Sequence, residues 1–352
     1  MPKRKRFDLK PQKLTPQGVL PPGERDLLEA LHRFESTGLL VLKTAAVAAL
    51  ATAGQPLTGI LQSGRRLVTE HLSHFLSGSC HVPAQQAREL AKRLDLTLPG
   101  LMQELIPVAR EHARAGISHY RVGSVVQGLS GDLYLGFNVE FPEVPLVQTV
   151  NGEVCAVINA LTHGEKGLRA LAGTFAPSGP VRQFLYELPS GGELKVMLPD
   201  RTVKLKSLLP NSFGPRDLGA EGALMNSPRN NLQLVENHHD PVVEHALEAA
   251  CRSYAPYSHC PSGIALATDD QSFVGIYCEN AAFNPSLSPL QGALLSLYTH
   301  GRKIGEVRRV VLVERLVEHP GQITQGPTTE YMMSVLNPEA EFLLAPCRVL
   351  SP

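Results

Sequence analysis

Thr149-Val150-Asn151-Gly152-Glu153, the apolar run on to Leu161, and then Thr174-Phe175-Ala176-Pro177-Ser178-Gly179-Pro180-Val181-Arg182-Gln183-Phe184 form the stretch on which the fold turns. Glu153 to Leu161 reads as an apolar helix, Thr174 to Pro177 as the end of a strand, and Val181 to Tyr186 as the start of the next helix. Just upstream, Tyr120–Gln127 and Asp132–Phe141 read as two strands joined by the short turn Leu129-Ser130-Gly131. Strands alternating with helices define an α/β unit. A weaker copy follows it. Ser258-His259-Cys260-Pro261-Ser262-Gly263 echoes the strand that opens at Ser118, and Phe273–Ala282 echoes Leu133–Val144. Leu290-Gln291-Gly292-Ala293 takes the place of Asn151-Gly152-Glu153.

The remaining 117 residues at the start read differently. Residues 1–24 carry Lys3-Arg4-Lys5-Arg6 and several prolines with little apolar periodicity, which predicts a mobile tail. From residue 25 to 117 the pattern is helical: Leu27, Leu28, Leu31 and Phe34 recur at three- and four-residue spacing, and Leu61, Leu67, Leu72 and Phe75 continue the series. Pro83 and Pro99 stand near the starts of two further helices, Ala84–Leu94 and Leu101–Ala115, where a missing N–H costs little. The chain thus divides into the tail, a helical region to 117, a first module at 118–210, a linker at 211–240 and a second module at 241–352.

Composition narrows the class. With 352 residues and 43% hydrophobic content the chain can fill more than one core, and its net charge of zero gives the body no electrostatic pull toward nucleic acid or an anionic membrane. Six cysteines, none in a C-x-x-C pair, fit a reducing compartment and offer no zinc knuckle. No secretory signal is visible, and the apolar run 38–54 contains Lys43 and is shorter than the roughly 20 residues a membrane span needs. The expectation is an intracellular, cytoplasmic protein. Lys3–Arg6 offers a nuclear signal or a contact for RNA or an acidic protein partner.

Several segments together resemble the long, two-domain, homodimeric bacterial-type cytidine deaminase family, over roughly residues 83 to 350. Ser118-His119-Tyr120-Arg121-Val122-Gly123 resembles its opening strand, Leu135-Gly136-Phe137-Asn138-Val139-Glu140-Phe141 its ribose-binding strand, and Asn211-Ser212-Phe213-Gly214-Pro215-Arg216-Asp217-Leu218 its linker. Tyr254-Ala255-Pro256-Tyr257-Ser258 and Glu279-Asn280-Ala281-Ala282-Phe283-Asn284-Pro285 resemble its second domain. The resemblance implies a three-layer α/β/α fold in two modules and a homodimer. It also implies a pyrimidine nucleoside pocket: Tyr120 beside the nucleoside, Asn138 and Glu140 on the sugar hydroxyls, and Phe213 reaching over the neighbouring subunit's pyrimidine.

In this family H-x-E followed by P-C-x-x-C holds a zinc ion through one His and two Cys, while the Glu moves protons. Here Glu153 and Pro177 stand in place, but Asn151, Ser178 and Val181 occupy the three ligand positions. A catalytic zinc needs three protein ligands and an open position for water. Asn is a poor zinc ligand, a neutral Ser hydroxyl is weaker, and Val has no donor atom. The nearest substitutes are Cys155 and His163; Cys155, two residues from Glu153, points to another face of the helix. This reading predicts a protein without zinc, a pseudoenzyme that keeps a nucleoside pocket or serves as a scaffold, with Glu153 a vestigial proton carrier. An active cytidine or deoxycytidine deaminase is the alternative. Arg182, beside the lost thiolate positions, is expected to make a structural salt bridge.

Overall fold

The computed structural model describes residues 69, 70 and 72–350. The basic tail, the periodicity at Leu27–Phe34, the apolar run 38–54, and Leu61 and Leu67 lie outside the described residues.

Strand β1 (His81–Val82) precedes two helices, α1 (Ala84–Arg93) and α2 (Leu98–Glu111). Helix α2 starts under Thr97, whose hydroxyl accepts from the Gly100 N–H, and carries Pro99 in its first turn. Its buried stripe of Leu101, Met102, Leu105, Val108 and Ala109 recurs every three or four residues, as the sequence spacing requires. The first module then runs β2 (Gly123–Gly128), β3 (Leu133–Phe137), α3 (Gly152–Thr162), β4 (Leu168–Gly173), α4 (Gly179–Tyr186), β5 (Lys195–Met197), β6 (Thr202–Lys204) and the short α5 (Leu205–Leu208). After the linker come β7 (Leu232–Leu234), α6 (Pro241–Cys251), β8 (Ser262–Ala267), β9 (Ser272–Ile276), α7 (Pro289–Thr299), β10 (Arg309–Arg315), α8 (Gly326–Leu336) and β11 (Glu341–Val349).

Two mixed sheets result, ordered β1-β3-β2-β4-β5-β6 and β7-β11-β10-β8-β9. Each has the same four-strand centre. β2 pairs antiparallel with β3 and β4, as β8 does with β9 and β10, and one parallel pair follows in each, β4 with β5 and β10 with β11. Helices cover both faces. A side-chain carbon at Gly123 would run into the backbone of α2, and one at Gly136 would strike α3 at the Gly152 carbonyl and the Ala156 N–H. Gly263 meets α6 and Gly275 meets α7 at Pro289 and Ala293 in the same way. The three-layer α/β architecture read from the sequence is the one observed. These contacts also refine the internal repeat: Pro289 and Ala293 match Gly152 and Ala156, so Ser288, the cap of α7, matches Asn151, and Leu290 stands opposite Glu153.

Element ends differ from the sequence reading for local reasons. β1, inside the segment read as wholly helical, and β7, inside the linker, each add an edge strand. β3 stops at Phe137 because the backbone beyond it changes partner: Val139 bridges Val150 and Arg114. α4 begins at Gly179, with Pro180 in its first turn, where an N–H would find no partner.

The second module is joined to the preceding chain by buried and part-buried contacts. The Arg114 guanidinium lies 3.9 Å from the centre of the Tyr298 ring and its Nη2 donates to the Arg302 carbonyl. Gln291 Nε2 donates to the Gln148 carbonyl, and Asn280 Nδ2 to the Gln183 carbonyl. Among the described residues no helix is long and apolar enough to cross a membrane.

Candidate functional site

Glu153 sits in the first turn of α3, 5% exposed. Burial pushes its carboxyl pKa up, opposed only by its own backbone N–H. It makes no hydrogen bond to Asn151, Ser178 or Arg182. On β2, the Ser124 hydroxyl is fully buried and has no hydrogen-bond partner. Two glycines bring the backbone close around these groups, where a side-chain carbon would meet Val122 Cγ1 at 3.2 Å from Gly152 and the Phe175 carbonyl at 3.3 Å from Gly173. A side-chain carbon at Gly152 would sit 3.3 Å from Ser124 Oγ and 3.5 Å from the Asn138 N, and one at Gly173 would sit 3.6 Å from Ser124 Oγ and 3.7 Å from Glu153 Oε1. Ser124, missed in the sequence reading, is a polar residue in the otherwise apolar run Val122–Val126. A buried hydroxyl without a partner costs about 1–3 kcal/mol, so an occupant with a polar atom would be favoured there.

The segment after β3 lies beside these groups. Asn138 is buried and its amide is spent on backbone: Oδ1 accepts from the Val122 N–H at 2.8 Å and Nδ2 donates to the Tyr120 carbonyl at 2.9 Å. Nδ2 also lies 3.4 Å from Glu140 Oε1. Glu140 accepts from the N–H groups of Ile117 and Ser118, at 2.8 and 2.9 Å, and from the Ser118 hydroxyl. Burial pushes the Glu140 pKa up, but these donors outweigh it and hold the carboxyl below its usual range. Asn138 and Glu140 therefore clamp the loop 117–122 and hold Tyr120 at its tip, 52% exposed and 5.9 Å from the ring of Phe175. Glu279 repeats the clamp in the second module, accepting from the N–H groups of Tyr257 and Ser258.

Tyr120, Asn138, Glu140 and Glu153 thus share one end of the first module. Phe213 does not join them. Its carbonyl accepts from Gln183 Nε2 on α4 and its ring is 44% exposed. Arg182 makes no ion pair with an acid; its Nε and Nη1 donate to the Pro177 and Leu208 carbonyls, both at 2.7 Å, tying α4 to α5. Cys155 faces the core, its thiol pushed up to about 12 by burial. His163 caps the far end of α3.

The Asn151 and Ser178 side chains cap neither helix, and Val181 is part of the apolar core. Asn, Ser and a buried Val do not fit a zinc ion.

Comparison with known proteins identifies the class. The family model for the "cytidine and deoxycytidylate deaminase zinc-binding region" matches residues 205–329. A cytidine deaminase of Vibrio vulnificus is 43% identical over 284 residues, spanning 79% of this chain and 95% of that protein. One of Sodalis glossinidius is 41% identical, spanning 75% and 88%. The solved cytidine deaminase of Mycobacterium tuberculosis is 32% identical over 32% of this chain and 95% of its own, with a TM-score of 0.30. These relatives place the chain in the deaminase class, and it belongs to the cytidine deaminase family. The expectation of a protein without zinc is corrected by these findings: the matched family region is zinc-binding and the relatives are cytidine deaminases.

Proposed function

We propose that the first module binds a pyrimidine nucleoside, with the base edge at Glu153 and the sugar near Asn138 and Glu140, and that its reaction is deamination of cytidine or deoxycytidine. The relatives support the reaction. The observation that carries the binding is the pairing of two buried polar groups, the partnerless Ser124 hydroxyl and the Glu153 carboxyl, at one end of the module. Burial raises the Glu153 pKa and so favours the protonated form, which offers one donor and one acceptor side by side. That pair complements the ring nitrogen and exocyclic amine of cytosine.

A second reading, a nucleoside-binding protein without turnover, is favoured by Asn151, Ser178 and Val181. Both readings require the nucleoside, and they separate on ammonia release from cytidine. Release above the uncatalysed rate, lost in Glu153→Gln, supports deamination; binding without release supports the second reading.

Assembly as a homodimer fits the exposed apolar groups Leu146 and Val147 beside the first module and Phe213 and Phe283 on the linker side. Phe213 standing away from Tyr120 and Glu153 fits a role at the neighbouring subunit's pocket. A contact of Lys3–Arg6 with RNA or a protein completes the proposed partners.

A further inference from the structure

A second cleft opens where the C-terminal ends of α3 and α7 meet, away from Glu153. His163 and His300 hold equivalent places there. Each follows its helix as the cap residue, and each precedes a glycine in the left-handed region, Gly164 at φ +86° and Gly301 at φ +73°. Each ring places Nδ1 against the carbonyl four residues back, 2.8 Å from Asn159 and 2.7 Å from Ser296. The two rings are parallel within 3°, 6.2 Å apart. His81, from β1, lies 4.5 Å from His163, and its Nε2 is 2.8 Å from Asp132 Oδ2. With Asn159, Thr299 and the loop 77–80, these rings line a cavity of about 270 Å³.

Hydrogen-bond bookkeeping fixes what this cavity presents. A carbonyl only accepts, so Nδ1 of His163 and of His300 carries the proton. The Asp132 carboxyl already accepts from the Ala84 N–H, and as a carboxylate it takes the proton of His81 Nε2 as well. On neutral rings the nitrogens left over, His163 Nε2, His300 Nε2 and His81 Nδ1, are acceptors. Asn159 adds a fourth. Its Nδ2 donates to the Cys80 and Leu135 carbonyls, while its Oδ1 has no partner although the residue is 2% exposed. Two helix C-termini, each the negative end of its dipole, open on the same cleft.

Acceptors and negative helix ends together repel an anion and invite a cation that carries N–H donors. We infer that the cleft between α3 and α7 is a binding site for a protonated amine, held by His163, His300 and the unpaired Asn159 Oδ1. Burial keeps the His163 pKa below its ordinary value, which maintains the acceptor form near neutral pH. Among the described residues no three His, Cys, Asp or Glu side chains converge on one metal ion, which favours an amine over a metal.

The test uses the full chain, ¹⁵N correlation spectra of its imidazoles, and spermidine, inorganic phosphate and Ni²⁺ as separate probes. Without ligand, His163 and His300 should show the tautomer protonated at Nδ1. Spermidine should shift both Nε2 signals saturably, with affinity at least tenfold weaker in the His163→Phe/His300→Phe variant and cytidine binding unchanged in it. The Nε2-protonated tautomer, spermidine affinity unchanged in the variant, or a response to phosphate or Ni²⁺ alone would overturn the assignment. The tautomer readout stands even if the variant does not fold.

Discussion

The Tyr254 hydroxyl, in the second module, donates to Glu187 Oε1 at the end of α4 in the first, at 2.7 Å. Glu187 is fully buried and takes two more donors from the same neighbour, the Tyr257 hydroxyl and, at 3.0 Å, the Ala281 N–H. One carboxyl group thus satisfies three donors, two of them, the Tyr254 hydroxyl and the Ala281 N–H, in fully buried bonds. Both tyrosine pKa values are pushed well up, first by burial and then by this carboxyl group.

Glu187→Ala should therefore loosen the junction between the modules. Leaving a buried donor without its acceptor typically costs roughly 1–3 kcal/mol. Urea denaturation of the variant should show that loss or a separate early transition of one module, and Glu187→Gln, which keeps an acceptor oxygen, should lose less.

Glu140 gives a pH signature. Its folded pKa is held below the ordinary 4.5, so its stabilising contribution is complete above the unfolded value and is lost as pH falls through the folded one. Melting temperature measured from pH 6 to pH 3 should fall less steeply in Glu140→Gln than in the parent, with the two curves converging at the acid end.

Cysteine reactivity should follow burial. Cys80, Cys155 and Cys278 are buried, and loss of solvent pushes their thiol pKa values well up. Cys251 is the partly exposed one. Iodoacetamide labelling of the native chain, read by peptide mass spectrometry, should modify Cys251 first and these three only after denaturation.

A homodimer should scatter light at twice the 38.1 kDa chain mass at micromolar concentration. Replacing Leu146 and Val147, exposed at 70% and 76%, by Lys should shift it toward monomer if those residues lie in the interface. A parent that is a stable monomer would remove the homodimer.

Much of this fold was legible because it is built from local pattern. The apolar run after Gly152 and the α2 stripe declare themselves within a few residues, whereas the close approach of helices over Gly136 and Gly275 shows only in three dimensions. The site was legible in part. Glu153, Tyr120, Asn138 and Glu140 do share one end of a module, but nothing in sequence says that the Asn138 amide is spent on the Val122 N–H and the Tyr120 carbonyl. Arg182 bonding carbonyls rather than an acid, and the meeting of His81, His163 and His300, depend on contacts between distant segments that no spacing rule encodes. Ser124 could have been flagged as a lone hydroxyl in an apolar strand; its missing partner is visible only in three dimensions.

Calorimetric titration of the full chain with cytidine tests the central claim most directly. The account predicts saturable binding, one nucleoside per chain, weakened at least tenfold in Glu153→Ala and measurably in Ser124→Ala. Absence of binding at millimolar cytidine, or binding that both substitutions leave unchanged, would contradict it.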